Sequence, residues 1–277
     1  MQVFMSINFK KMHGLGNDFV IIDGRENGLT LTPDQVRFIA DRKRGVGCDL
    51  VVLLKYSKNW TETTFAHLIN ADGSEIEACG NATRCIADIL MTEAKTDNVV
   101  VETLYGGLNC FREQDGQIRV EMGKPQLGWQ DIPLSKENDT LHLPLEGDPV
   151  AVSMGNPHCI FFVDNIMDKW GDNQVEKVGQ TIEVDPLFPN KTNVEFVEVL
   201  APDHLRMRVW ERGVGITEAC GSGACASAVA AIRRGLTGRK VRVTLDGGDL
   251  IIDWPHDDAP VSMTGPVAYV FDGEIQV

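Results

Sequence analysis

Ala219-Cys220-Gly221-Ser222-Gly223-Ala224-Cys225 runs into Ala226-Ser227-Ala228-Val229-Ala230-Ala231-Ile232, and the segment reads as a helix with small or apolar residues on almost every side. Such a helix belongs in an interior, because no face of it gains by contact with water. An echo lies 141 residues earlier, about half the chain length: Ala78-Cys79-Gly80-Asn81-Ala82-Thr83-Arg84-Cys85, again opening a largely apolar helix that runs to about residue 94. Two copies of one domain are the economical reading, each offering Ala-Cys-Gly-polar at a helix start.

The partners for these helices must be strands. Short apolar or alternating runs occupy residues 19–23, 50–55, 64–70, 99–103, 108–113 and 118–122 in the first half. The second half repeats the pattern at 150–154, 159–163, 194–200, 205–211, 241–245, 250–253, 261–264 and 267–271. Asp115-Gly116 marks a hairpin between two of them. Within 205–211, Leu205, Met207 and Val209 alternate with Arg206, Arg208 and Trp210, which predicts one wet face. Other helices are few. Thr32-Pro33-Asp34 reads as N-cap, first-turn proline and early acid, with Arg42, Lys43, Arg44 and Gly45 closing the helix; residues 172–182 are a further, weaker candidate. Residues 123–149 carry Pro125, Pro133, Pro144 and Pro149 and read as a linker with irregular excursions. The fold class is therefore α/β (α+β): two pseudo-symmetric domains, each a curled, mostly antiparallel sheet around a central helix, in residues 1–123 and 124–266.

Composition bounds the function. With 277 residues, 43% hydrophobic and 24% charged, the chain can bury a real core. A net charge of −14 argues against nucleic acid as a partner. No apolar run reaches the roughly 18–20 residues of a membrane span, and residues 1–11 lack the apolar stretch of a signal peptide, so the expected compartment is the cytoplasm. Seven cysteines, an odd number, do not form a disulfide framework. Cys85 and Cys225 fall inside the helices, and Cys48, Cys110 and Cys159 lie outside the repeat; all five read as packing.

Cys79 and Cys220 differ. A helix start has unpaired N–H groups and a partial positive charge, which together bind anions and favour a thiolate. Two such cysteines suit inversion of a carbon centre by proton transfer, one group taking the proton from one face and the other returning one to the opposite face. Zinc is a poor fit, since five and four residues separate the cysteines of the two pairs and the second of each sits on a buried helix. The C-x-x-C of a redox pair is absent. No metal is expected.

Further motifs bring a family into view. Lys11-Met12-His13-Gly14-Leu15-Gly16-Asn17-Asp18-Phe19, Asn70-Ala71-Asp72-Gly73-Ser74-Glu75, Met154-Gly155-Asn156-Pro157-His158 and Glu211-Arg212-Gly213, with the two cysteine stretches, make the chain resemble the diaminopimelate epimerases over nearly its whole length. The Gly-x-Gly in the first motif is no dinucleotide fingerprint, since no strand is expected before it and the third glycine is missing.

The resemblance implies a pyridoxal-independent epimerase converting LL- to meso-diaminopimelate on the route to lysine and peptidoglycan. Cys79 and Cys220 would be the acid and base. The amides of Gly80-Asn81 and Gly221-Ser222 would hold the carboxylate at the reacting centre. Asn17, Asn70, Asn156, Asn193, Glu211 and Arg212 would read the other polar groups, and His158 and Glu211 would tune the thiols. It also implies that the last strand, residues 267–277, returns to the first half, and that the chain forms a homodimer. Asn suits a zwitterionic substrate, having donor and acceptor together, and Arg212 can grip a carboxylate in two places. The bland readings differ: Asn70-Ala71-Asp72-Gly73 could be only a turn, with function ahead for Asn70; Asn156-Pro157-His158 reads from sequence alone as a turn with a surface histidine; and Glu211-Arg212 could be a solvated ion pair.

The chain departs from the family pattern at Leu50, where glutamine is common, at Ala82-Thr83 for Gly-Ala, at Ile216 for glutamate and at Phe271 for tyrosine. Leu50 bears most on substrate choice. The alternative function is a two-thiol racemase for histidine, proline or hydroxyproline; the proline type usually has histidine where this chain has Asn81.

Overall fold

The computed structural model describes residues 5–58 and 63–277. The chain divides into two compact units, Met1–Val120 with Gly265–Val277, and Glu121–Thr264. The first unit opens with an antiparallel hairpin, β1 (Ser6–Gly14) and β2 (Asn17–Asp23), turning through Leu15 and Gly16, both at positive φ. Helix α1 (Pro33–Ala40) then crosses over to β3 (Leu50–Tyr56), which lies parallel to β2. Strand β4 (Thr64–Asn70) runs antiparallel to β3, and the two-residue β5 (Glu75–Ile76) folds back on β4. Helix α2 (Gly80–Ala94) leads to β6 (Asn98–Thr103), parallel to β4, and then to β7 (Gly106–Arg112) and β8 (Ile118–Glu121), each antiparallel to its predecessor.

The second unit repeats this sequence of pairings. Strands β9 (Val150–Ser153) and β10 (Pro157–Phe162) are antiparallel, and α3 (Ile166–Lys169) and α4 (Asp172–Glu183) cross over to β11 (Asn193–Ala201), parallel to β10. Strand β12 (His204–Glu211) is antiparallel to β11 and carries the short β13 (Gly215–Ile216). Helix α5 (Gly221–Arg233) precedes β14 (Lys240–Leu245), parallel to β12, and β15 (Gly248–Asp253) and β16 (Ser262–Gly265) complete the series. Strand by strand, β9–β16 match β1–β8 in order and direction, and α5 matches α2. The last strand, β17 (Ala268–Gln276), lies antiparallel along β1.

In each unit the apolar helix is the centre. Helix α2 packs on β1, β2, β6 and β7, and α5 on β9, β10, β11, β12, β14 and β15. The alanines of α5 keep its diameter small, so strands approach it on several sides; Ala224, Ala226, Ala228, Ala230 and Ala231 are fully buried. A second layer forms on the outer face of each sheet. Val36, Ile39 and Ala40 of α1 pack on Val20, Ile22, Val51 and Leu53, and Val175 of α4 joins Cys159, Phe161, Val194 and Phe196. Strand β3 is buried from Leu50 to Leu54 because both of its faces are covered.

Three expectations change. Strand β1 was not expected, because Lys10-Lys11 breaks the apolar alternation. Lys11 nevertheless points inward, its ammonium bound by Asp18 and the Gly47 carbonyl. A strand therefore does precede Gly14-Leu15-Gly16-Asn17, but a strand and not a helix follows, so the glycines serve a hairpin. The face of β12 carrying Arg206, Arg208 and Trp210 is not wet. Asp246 pairs with both arginines, Asp172 with Arg208, and Trp210 packs where Gly179 of α4 leaves room: a Cβ at Gly179 would stand 2.5 Å from the tryptophan. Residues 123–149 are irregular but not a linker, since Ile132, Leu134 and Leu143 are buried in the outer core of the second unit.

Helix α1 has the expected start, with a full capping box between Thr32 and Gln35, but ends at Ala40. The Asp41 carboxylate accepts from the Lys43 and Arg44 amides and turns the chain, and Gly45 passes so close to the helix end that a Cβ would lie 1.9 Å from the Phe38 carbonyl.

Candidate active site

Cys79 is the N-cap of α2 and Cys220 the N-cap of α5, both in extended backbone conformation. Each is followed by glycine and then by a helix whose first N–H groups have no intrahelical carbonyl to bind. The two helix starts are alike in backbone and differ in what surrounds the sulfur.

In the first unit, the β1–β2 turn delivers Asn17 to Cys79. The thiol donates to Asn17 Oδ1 at 3.6 Å and Asn81 Nδ2 donates to the same oxygen at 3.3 Å. Asn17 Nδ2 is in turn held by Asp49 at 2.9 Å. Behind them the buried Arg84 donates to Asn81 Oδ1 at 2.9 Å and to the Pro266 carbonyl at 3.5 Å. Gly14 is the close approach that permits this, since a Cβ there would meet Arg84 Nη2 at 3.0 Å. Thr83, at a family alanine position, bonds its hydroxyl to the Cys79 carbonyl at 2.9 Å. Asp18, beside Asn17, binds Lys11 and Arg42; burial would raise its carboxyl, but these partners outweigh burial and hold it at about 2. Asn70 ends β4, where its side chain binds Ser74 Oγ at 2.9 Å and shapes the turn through Gly73. Leu50 is its cross-strand neighbour and is buried.

In the second unit, Cys220 is buried and accepts from the Gly223 amide at 3.4 Å, with Ser222 Oγ at 3.6 Å. The expected thiolate character is not met here. Burial, and then the carboxylates of Glu211 and Glu195, push the Cys220 thiol well up, overriding the helix end. Glu211 is itself raised, first by burial and also by Glu195, although Thr217 donates its hydroxyl to it. It is therefore not a solvated ion pair with Arg212.

His158 is fully buried, its Nδ1 at 2.6 Å from Glu195 Oε1 and its Nε2 at 2.9 Å from Asn156 Oδ1. Asn156 Nδ2 reaches Ser222 Oγ at 3.5 Å. Asn193 spends its amide on positioning: Nδ2 donates to the Pro157 carbonyl at 3.0 Å and Oδ1 accepts from the Arg212 amide at 2.9 Å. That bond fixes the loop from which the exposed Arg212 projects. The other cysteines are interior; burial pushes Cys48 and Cys85 up to about 12 and raises the Cys159 thiol well above its ordinary value.

Sequence reasoning missed Asp49, Glu195 and Thr217. Glu195 had a visible signal. It is a carboxylate within the apolar run Val194–Val197, and such a group is held in a core only when it has a partner.

The diaminopimelate epimerase family model matches residues 9–128 and 150–270. The chain belongs to the diaminopimelate epimerase family. It is 50% identical over 271 residues to the diaminopimelate epimerase of Rhodospirillum centenum, covering 96% of this chain and 91% of that one. To the enzyme of that name from Acidiphilium cryptum it is 48% identical, covering 96% and 95%. Solved structures with the same fold include a PhzF-family phenazine biosynthesis protein of Bacillus anthracis, at TM-score 0.70, 15% identity and coverage of 99% and 100%. Another is a hydroxyproline epimerase of Agrobacterium vitis, at TM-score 0.69, 12% identity and coverage of 100% and 93%. These two bear on the fold alone: a mixed α/β fold dominated by sheet.

Proposed function

We propose that the chain interconverts LL- and meso-2,6-diaminopimelate by moving the α-proton between Cys79 and Cys220, without a cofactor, in the supply of lysine and peptidoglycan precursors. The observation that carries this reading is 50% identity over 96% of the chain to an enzyme of that name. Both Cys-Gly helix starts lie within the matched segments.

In one direction the Cys79 thiolate takes the proton from one face of the α-carbon, and the electron pair passes into the adjoining carboxylate. The Cys220 thiol then donates its proton to the opposite face. The product leaves Cys79 as thiol and Cys220 as thiolate, the starting state for the reverse direction. Burial and two neighbouring carboxylates favour the protonated form of Cys220 at rest. The amides of Gly80-Asn81 and Gly221-Ser222 would stabilise the charge that develops on the carboxylate, and removing one such donor typically costs about 10²–10³ in rate. Asn17, Asn70, Asn156, Asn193, Glu211 and Arg212 would orient the remaining ammonium and carboxylate groups, and His158 would act through Asn156.

A substrate panel tests the reading. LL-diaminopimelate turns over and histidine, proline and hydroxyproline do not; the opposite result favours the racemase alternative. Cys79→Ala or Cys220→Ala abolishes epimerisation, while the surviving thiol still exchanges the α-proton of one stereoisomer in deuterated water. Unchanged turnover in either variant refutes the two-thiol mechanism. The homodimer rests on the family resemblance, and sedimentation of the purified chain decides the oligomeric state; the cytoplasm remains the compartment expected from the sequence.

A further inference from the structure

The geometry points to Glu195 as a positioning residue: its buried carboxylate takes the Nδ1–H of His158, commits Nε2–H to the Asn156 carbonyl oxygen, and so fixes the Asn156 amide as a donor toward Ser222 at the start of α5. The inference rests on the proposed function in taking that helix start as the place where the substrate is held.

Strand register brings the groups together. His158 and Glu195 lie on neighbouring parallel strands, β10 and β11, two residues out of register, with His158 opposite Asn193 and Ile160 opposite Glu195. Both side chains are fully buried. Their contact of 2.6 Å is at the short end for a nitrogen–oxygen hydrogen bond, as expected when charge assists it. Glu195 Oε2 has no hydrogen-bond partner. A carboxylate buried in that way needs a compensating charge, and the imidazolium supplies it.

The other ring nitrogen faces Asn156 Oδ1, which can only accept. With both ring nitrogens donating, the amide of Asn156 has one orientation, Nδ2 toward Ser222 Oγ. A neutral ring protonated on one nitrogen would allow that amide to turn over and present its oxygen instead. The titratable groups facing Glu195 are His158, Glu211, Cys159 and Cys220. The carboxylate also lies beside the first turn of α5, since a Cβ at Gly223 would stand 2.8 Å from Glu195 Oε1 and 3.2 Å from the Cys220 sulfur.

The experiment is side-chain nitrogen NMR on the full chain labelled with ¹⁵N-histidine, with His158→Gln used to assign the resonance. In the wild type His158 carries a proton on both ring nitrogens at neutral pH. In Glu195→Gln, whose side chain keeps the shape but not the charge, one ring nitrogen is bare. A wild-type ring with bare Nδ1, or a ring in the same state in both proteins, overturns the inference. Kinetics give a second readout: Glu195→Gln lowers kcat/KM for diaminopimelate by about tenfold or more, the scale of losing a charged hydrogen bond, chiefly through KM. Full kcat/KM in that variant also overturns it. If the wild type does not turn over diaminopimelate, the proposed function falls and the NMR result still decides the role of Glu195.

Discussion

Gly223→Ala sets two effects of known size against each other. In a helix, replacing glycine by alanine ordinarily gains about 1 kcal/mol from backbone entropy. At Gly223, in the first turn of α5, the new methyl would lie 2.8 Å from Glu195 Oε1 and 3.2 Å from the Cys220 sulfur. Neither neighbour can retreat cheaply. The carboxylate is buried and bound to His158, and the sulfur accepts from the Gly223 amide itself. Overpacking of this kind costs about 1–3 kcal/mol. The net expectation is a loss of up to about 2 kcal/mol, read as a lower urea midpoint with unchanged slope. Activity falls much further, about 10²-fold in kcat, because moving the sulfur proposed to carry the proton by about 1 Å has that effect. A variant that gains stability and keeps full kcat refutes the crowded arrangement of Glu195, Gly223 and Cys220.

Asp18→Asn probes the ion-pair cluster of the first unit. The folded carboxyl sits at about 2, below its ordinary 3.8, so its contribution of about 2 kcal/mol is present at neutral pH and lost as pH falls from about 4 toward 2. The variant is less stable than the wild type at pH 7, and the gap closes in acid; a gap of equal size at both ends contradicts the assignment. Glu211 has the opposite sign: its carboxyl is raised, so it favours folding in acid and that contribution is lost as pH rises through its folded value. Glu211→Gln therefore compares more favourably with the wild type at pH 7 than at pH 4, while turnover drops, and a reversed pH trend in denaturation would count against the buried setting. Iodoacetamide at pH 8 modifies Cys79, which is partly exposed, well before Cys48, Cys85, Cys159 and Cys220, which are buried with raised thiols. Peptide mass spectrometry with Cys220 labelled first would reverse that order.

What the sequence made legible follows from the range of each interaction. Helix α2 was readable almost to the residue because its signals are local: a cysteine-glycine start and a largely apolar run. The repeat was readable at Cys79 and Cys220 because two copies of a rare arrangement confirm each other. Strand β1 was hidden because Lys11 is an inward charge, and only Asp18 and Gly47, brought close by folding, make that position tolerable. The buried face of β12 was hidden for the same reason, its arginines being neutralised by Asp172 and Asp246 from other segments. At the candidate site, the family motifs named Asn17 and His158 but not their partners, Asp49 in the bend before β3 and Glu195 on β11, which other segments supply. Local sequence also could not weigh burial against the helix end at Cys220, where burial and two carboxylates win.

The pairing of β17 with β1, from Ser6 opposite Gln276 to His13 opposite Ala268, has a consequence for biosynthesis. The first unit cannot finish its sheet until residues 268–276 have been made, and these follow every residue of the second unit. The segment made first is thus completed last, and β1 spends most of translation with an open edge. A chain ending shortly before residue 268 and joined to a linker long enough to clear the ribosomal tunnel should protect the second unit from protease while leaving β1 open to attack.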